Sequence, residues 1–359
     1  MRALVLWADQ RSTNLGVRAL ADGAAALVRS AVPDASVEFQ SFGRNGPAPI
    51  ALAHPRTLLR EWVTRRAGLA DWFRQYDLVL DMRAGDSFAD IYGPRRLRIM
   101  SAVAEFVHRA GVPLVLGPQT VGPFSGWQST MLARRSLHTA ALCMARDSVS
   151  AREAVRLRAP RLVETTDVVF ALPQPPADGR RDVVLNVSGL LWQPGPHVDA
   201  QRYRAVVREL HDGLVRQGRT VSLLAHVLES NGPDDDVPAI RELAATSAPE
   251  SEIIVPRSLD EVRSVLAGST LVIGSRMHAC LNALSVGTPA IPLAYSRKFE
   301  PLLGDLGWRH TVDVRSDDSP AQRVLAMAGS DGLSSDVALV KERAASSLQP
   351  AVEALKESW

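Results

Sequence analysis

Short unbroken apolar runs alternate with longer segments whose apolar residues recur at helical spacing, and this rhythm continues over nearly the whole chain. A run that is apolar at every position is buried on both faces, so the pattern predicts parallel sheets covered by helices on each side. The predicted strands fall at residues 3–7, 37–40, 78–81, 113–117 and 142–145, then at 182–187, 220–225, 253–255, 271–274 and 290–293. Residues 258–267 suit a helix, with Asp260 and Glu261 at the positive end of its dipole. Residues 172–181 break the rhythm with proline, glycine and charge, as a linker does. The expected fold class is therefore α/β, with two doubly wound Rossmann-like domains facing a cleft. Residues 1–171 form the N-terminal domain, 172–181 the linker, 182–336 the C-terminal domain, and 337–359 a terminal helix rich in Ala, Leu, Glu and Lys.

Composition narrows the functional classes. With 41 basic against 39 acidic side chains, there is no overall excess of positive charge to hold a polyanion, so nucleic acid is not an expected partner. No run is long enough to span a bilayer, and the apolar start stops at Asp9-Gln10-Arg11 without a cleavage pattern, which reads as a first strand and a cytoplasmic protein. Cys143 and Cys280 are the 2 cysteines, both in apolar segments, so neither a disulfide framework nor a zinc cluster is expected. His54, His108, His138, His197, His211, His226 and His310 show no paired ligand spacing, and most fall on helices or loops where a solvated histidine is expected; no metal is implied.

The richest chemistry lies between Val272 and Lys298. An apolar run leads into Ser275-Arg276-Met277-His278, with Ser275 placed to cap a helix, Gly287 placed to end it, and a further strand before Lys298. Arg276 and His278 are then expected in the helix's first turn, where free N–H groups and the dipole favour an anion, and Lys298 could reach the same spot. A pairing of Arg276 with a carboxylate and a buried, satisfied His278 is the alternative.

The other domain's strand ends carry polar loops. Asn14-Leu15-Gly16 precedes a helix and is either a ligand-binding loop or a helix-entry turn, since it lacks the dinucleotide glycine spacing. Asp86 follows the third strand, where a carboxylate could move protons or simply form a turn. Gln119 and Thr120 sit in a stiff Gly-Pro turn suited to recognising a substrate, and Arg146, at the end of the fifth strand, is a candidate anion clamp.

Taken in order, these segments resemble the polysaccharide pyruvyl transferase family. They are Asn14-Leu15-Gly16, Gly85-Asp86-Ser87-Phe88, Gly117-Pro118-Gln119-Thr120-Val121-Gly122-Pro123-Phe124, Arg146-Asp147-Ser148-Val149-Ser150, Thr166-Asp167-Val168-Val169-Phe170, Leu185-Asn186-Val187-Ser188-Gly189, and the block from Ser275 to Lys298. The resemblance implies a GT-B-like fold. It also implies transfer of a pyruvyl group from phosphoenolpyruvate to two hydroxyls of a sugar, giving a cyclic ketal, with no cofactor beyond that donor. The family's functional arginines, histidine and lysine map onto Arg146, Arg276, His278 and Lys298. Where the family usually carries two glycines, this chain has Ala84 before Gly85.

On this reading His278 is the leading acid or base and Asp86 its partner, while Arg146, Arg276 and Lys298 bind the donor's anionic groups, helped by Asn14, Gln119 and Thr120. Low aromatic content points to a small glycoside, a lipid-linked saccharide or another small scaffold as acceptor. The competing expectations are a GT-B glycosyltransferase using a nucleotide sugar and a catalytically silent binding protein on the same scaffold. The oligomeric state is not legible in the sequence.

Overall fold

A computed structural model of the chain describes residues 1–43, 46–228, 230 and 232–358. It resolves into two compact units. The first comprises Met1–Arg11, Leu20–Leu172 and Ala344–Trp359, and the second comprises Ser12–Ala19 and Pro173–Arg343.

In the first unit, strands β1 (Arg2–Leu6), β2 (Ser36–Gln40), β3 (Leu78–Asp81), β4 (Leu114–Gln119), β5 (Leu142–Ala145) and β6 (Leu162–Glu164) form a parallel sheet in the order β2-β1-β3-β4-β5-β6. Alternate side chains enter opposite cores. Leu4, Leu6, Val79, Leu114 and Leu116 pack on one face, and Ala3, Val5, Leu78, Leu80 and Val115 on the other. Each fully buried leucine or valine contributes roughly 1.5–3 kcal/mol, which is why the strands read as continuous apolar runs.

The second unit repeats the plan with β7 (Arg181–Asn186), β8 (Val221–Leu224), β9 (Ile253–Ile254), β10 (Ser269–Gly274), β11 (Ala290–Ala294) and β12 (Val312–Asp313), in the order β12-β11-β10-β7-β8-β9. The segment after Leu172 is tied to this unit: Arg263 Nη2 donates to the Pro173 carbonyl, and the Asp178 N–H donates to the Ser264 carbonyl.

The expected α/β class and parallel doubly wound sheets are observed. Strands β6 and β12 were not expected from the hydrophobic pattern. Both are short and lie at sheet edges, where partial exposure removes the need for an apolar run. In each sheet the strand order reverses beside the unit's first strand, between β1 and β3 and between β7 and β10. At such a reversal the chain leaves neighbouring strands in opposite directions, and a crevice opens outside their carboxyl ends.

Candidate functional site

In the second unit, β7 and β10 end at this reversal and deliver Asn186 and Ser275 side by side. The Asn186 Oδ1 accepts the Arg276 N–H at 2.9 Å, fixing the entry to the helix Met277–Ser285. Two details differ from the sequence expectation. Arg276 is the cap residue, in extended backbone, so only His278 occupies the first turn. Ser275 does not cap the helix, because its hydroxyl is engaged with the Tyr203 hydroxyl at 2.6 Å. Gly287 does lie just past the helix end with φ 90°, as its stop requires.

Arg276 is buried and doubly paired. Its Nη1 donates to Asp234 Oδ1 at 2.7 Å, and its Nη2 and Nε donate to Asp236 Oδ1 at 2.7 and 3.1 Å. These carboxylates hold the guanidinium more firmly charged than usual against the opposing effect of burial. Asp236 is fully buried and also accepts from the N–H groups of Gly189, His226 and Val227. Gly189 is needed for that approach, since a Cβ there would lie 1.8 Å from the Asp235 carbonyl oxygen. Sequence reasoning missed Asp236, because Asp234-Asp235-Asp236 looks like a solvated acidic turn.

His278 is half-buried against the backbone of the segment 12–19. A Cβ on Gly16 would meet His278 Cβ, Cγ and Nδ1 at 3.0 Å. That segment is fastened to the same unit: the Leu15 N–H donates to the His226 carbonyl at 3.0 Å, the Leu228 N–H donates to Thr13, and Asn14 bridges Val227. Asn14 itself serves the turn, its Oδ1 accepting the Gly16 N–H at 2.9 Å. His226 is buried behind this cluster, unlike the solvated position expected of most of the histidines. Burial first, then the neighbouring His278 and Arg276, push its imidazole well below the ordinary range, so the ring is neutral and its Nε2 lies 3.3 Å from Asn282 Nδ2.

Lys298 stands at the start of the helix Phe299–Asp305. The ring of Phe299 packs 5.5 Å from that of Tyr295. Beyond the carboxyl ends of β11 and β12 lies a hollow of about 570 Å³, lined in part by Arg297, Arg309, Arg315 and Arg323.

In the first unit, the loops after β3, β4 and β5 meet. The Thr120 N–H donates to the Gly85 carbonyl at 2.8 Å. The Arg146 Nε and Nη2 donate to Thr120 Oγ1 at 3.1 and 2.9 Å, and its Nη1 donates to Asp167 at 2.7 Å. Gln119 is fully buried; its Nε2 donates to the Asp81 carbonyl, and among the described residues its Oε1 has no hydrogen-bond partner. Asp86 Oδ2 accepts from the Tyr92 hydroxyl at 2.7 Å. Ala84 sits at φ 50° and Arg83 at φ 42°, a region that favours glycine. Arg83, which sequence reasoning passed over, is fully buried, pairs with Asp81 and stacks 4.0 Å from the Phe88 ring. Both cysteines are buried, and burial pushes the Cys143 thiol up to about 12, so neither is a nucleophile at neutral pH.

These are α/β units with polar clusters at the carboxyl ends of their strands, the architecture of GT-B-like proteins. The polysaccharide pyruvyl transferase profile matches residues 14–297, and the chain belongs to that family. It is 22% identical over 258 residues to the amylovoran biosynthesis protein AmsJ of Erwinia amylovora, covering 66% of this chain and 61% of that protein's length. In structure it resembles UDP-GlcNAc 2-epimerase of Neisseria meningitidis, with a TM-score of 0.59, 11% identity, and coverage of 99% of this chain and 100% of that one. Anabaena Alr3699/HepE, determined with UDP-glucose, gives a TM-score of 0.55 at 12% identity over 99% of this chain and 97% of the other. At these identities the structural likeness establishes the fold.

Proposed function

We propose that this chain transfers the pyruvyl group of phosphoenolpyruvate onto two hydroxyls of a sugar, glycoside or lipid-linked saccharide, forming a cyclic ketal and releasing phosphate. Family membership supports the reaction class. The observation that carries the assignment of chemistry is the position of His278, in the first turn of a helix at the β7/β10 reversal and beside the cap residue Arg276. An imidazole offers both a proton donor and a proton acceptor, while the helix terminus favours an anion.

The chemistry needs an acid, a base and charge stabilisation. A proton is delivered to the methylene carbon of the donor, and the first hydroxyl forms a C–O bond at the carbon bearing phosphate. The bond from that carbon to the phosphate oxygen breaks, and the second hydroxyl closes the ketal. Of the two hydroxyl protons, one balances the proton gained by carbon and the other leaves with phosphate. His278 and Asp86 are assigned the proton transfers. Arg276, Lys298 and Arg146 are assigned to the donor's phosphate and carboxylate, and Asn14, Gln119 and Thr120 to positioning. For Arg276, the contact an incoming phosphate would exchange is the partly exposed Asp234, with Asp236 kept as the anchor.

Thermal-shift titrations with phosphoenolpyruvate and, separately, with nucleotide sugars test the assignment. Stabilisation by phosphoenolpyruvate that is lost in Lys298→Ala supports it. Stabilisation by a nucleotide sugar alone would favour a glycosyltransferase.

A further inference from the structure

The first unit carries a second feature that the transfer chemistry does not use. The helices Pro55–Thr64, Pro94–Ala110 and Trp127–Thr139 enclose an open groove of about 510 Å³. Its floor is apolar, with Leu58, Trp62, Ile99, Ala102, Phe106 and Leu132 among the lining residues. On the same helices Leu59, which lines the groove, and Val63 are 65% and 75% exposed, and Trp127 and Met131 are 70% and 60% exposed. Leu59 and Val63 are four residues apart on one helix, as are Trp127 and Met131 on another, so each pair forms one ridge.

Charge around the groove is one-sided. Arg56, Arg60, Arg95, Arg98, Arg134 and Arg135 are all exposed on these helices. The helices carry two acidic side chains, Glu61 and Glu105, of which Glu105 offsets Arg135 and leaves Arg56, Arg60, Arg95, Arg98 and Arg134 in excess. Glu61 is buried and accepts the N–H groups of Ala67 and Leu69, while Glu105 is held by Arg135 at 2.8 Å with Arg109 nearby. A chain whose net formal charge is only +2 has thus gathered guanidinium groups around its most exposed apolar ridges.

We propose that this face docks on an anionic phospholipid bilayer, with Leu59, Val63, Trp127 and Met131 entering the headgroup boundary, the arginines contacting phosphates, and the groove receiving an acyl segment. Apolar crests between exposed arginines suit such a surface: the side chains lose water to the acyl boundary, and the guanidinium groups stay at phosphate depth. Among the described residues no helix is long and apolar enough to cross a membrane. The inference goes beyond the transfer reaction and stands or falls separately from it.

Flotation of the full chain with phosphatidylcholine vesicles, with and without phosphatidylglycerol, is the test. The chain is expected to float with the phosphatidylglycerol vesicles and to be released by salt. Each arginine at an anionic surface strengthens binding about fivefold, so Arg98→Glu with Arg134→Glu lowers it by more than about tenfold. Leu59→Asp with Met131→Asp lowers it comparably, whereas Val215→Asp, at an exposed apolar position in the second unit, leaves it unchanged. Circular dichroism confirms that each variant is folded. Absence of binding to phosphatidylglycerol vesicles, or binding indifferent to the groove substitutions, overturns the proposal. So does a dimer in sedimentation velocity that Leu59→Asp separates, because a second copy would then cover the face.

Discussion

His278 lies against Gly16, so close that one added carbon at Gly16 would come within 3.0 Å of its Cβ, Cγ and Nδ1. Residues separated by most of the chain therefore fix one imidazole. Gly16→Ala forces that ring to give by a few tenths of an ångström in a helix that otherwise tolerates alanine well. We expect kcat/KM for pyruvyl transfer to fall on the order of tenfold to hundredfold, since small misplacements of a reacting group carry costs of that size. Tm should move by no more than a few degrees. Unchanged kinetics would remove His278 positioning from the mechanism.

The two carboxylates on Arg276 predict unequal substitutions. Asp236 is buried and holds three N–H groups besides the guanidinium, so Asp236→Asn leaves a buried charge poorly compensated and costs about 3–5 kcal/mol, measured by urea unfolding. Asp234 is 41% exposed, and Asp234→Asn costs about 1 kcal/mol or less. In calorimetry, the same Asp234→Asn protein should bind phosphoenolpyruvate at least as tightly as the parent. Weaker binding would contradict exchange of Asp234 for the donor.

His226 predicts a pH dependence of stability. Imidazole ordinarily titrates near about 6.5, and His226 is held well below that. As pH falls through about 6.5 the unfolded chain takes up this proton while the folded chain does not. The unfolded state then binds more protons, so stability declines with acid, approaching about 1.4 kcal/mol per pH unit until the folded group titrates as well. Urea midpoints between about pH 7.5 and 5.5 should show this slope in the parent and a shallower one in His226→Asn. Equal slopes would mean that the buried ring contributes nothing.

Ala84 occupies backbone that glycine adopts freely. The left-handed conformation costs a side-chain-bearing residue about 1–2 kcal/mol, while glycine loses roughly 0.5–1 kcal/mol more chain entropy on folding. Ala84→Gly should therefore stabilise the protein slightly, by about 1 kcal/mol or less, and raise Tm. A clear drop in Tm would show that the Ala84 methyl contributes packing that outweighs the strain.

The interior strands were legible because burial on both faces writes an apolar run into the chain, as at Leu78–Asp81 and Leu142–Ala145. Edge strands carry no such requirement, and Leu162–Glu164 and Val312–Asp313 were passed over. At the site, Arg276 and His278 stood out because cationic side chains beside a strand end are conspicuous. Their partners did not. Asp236 lies in an acidic triplet typical of a solvated turn, and its burial depends on strands β7 and β8 bringing Gly189 and His226 to it. Likewise Asn14 reads equally as a ligand contact or a turn former, and only the hydrogen bond to Gly16 reveals its work in the turn.

The central claim is tested most directly by incubating the purified chain with phosphoenolpyruvate and a panel of glycosides and lipid-linked saccharides, following phosphate release and product mass together. The account predicts one phosphate released for each pyruvyl ketal formed, and loss of both signals in folded His278→Ala. Full turnover by His278→Ala, or glycosyl transfer from a nucleotide sugar with no pyruvylated product, would contradict it.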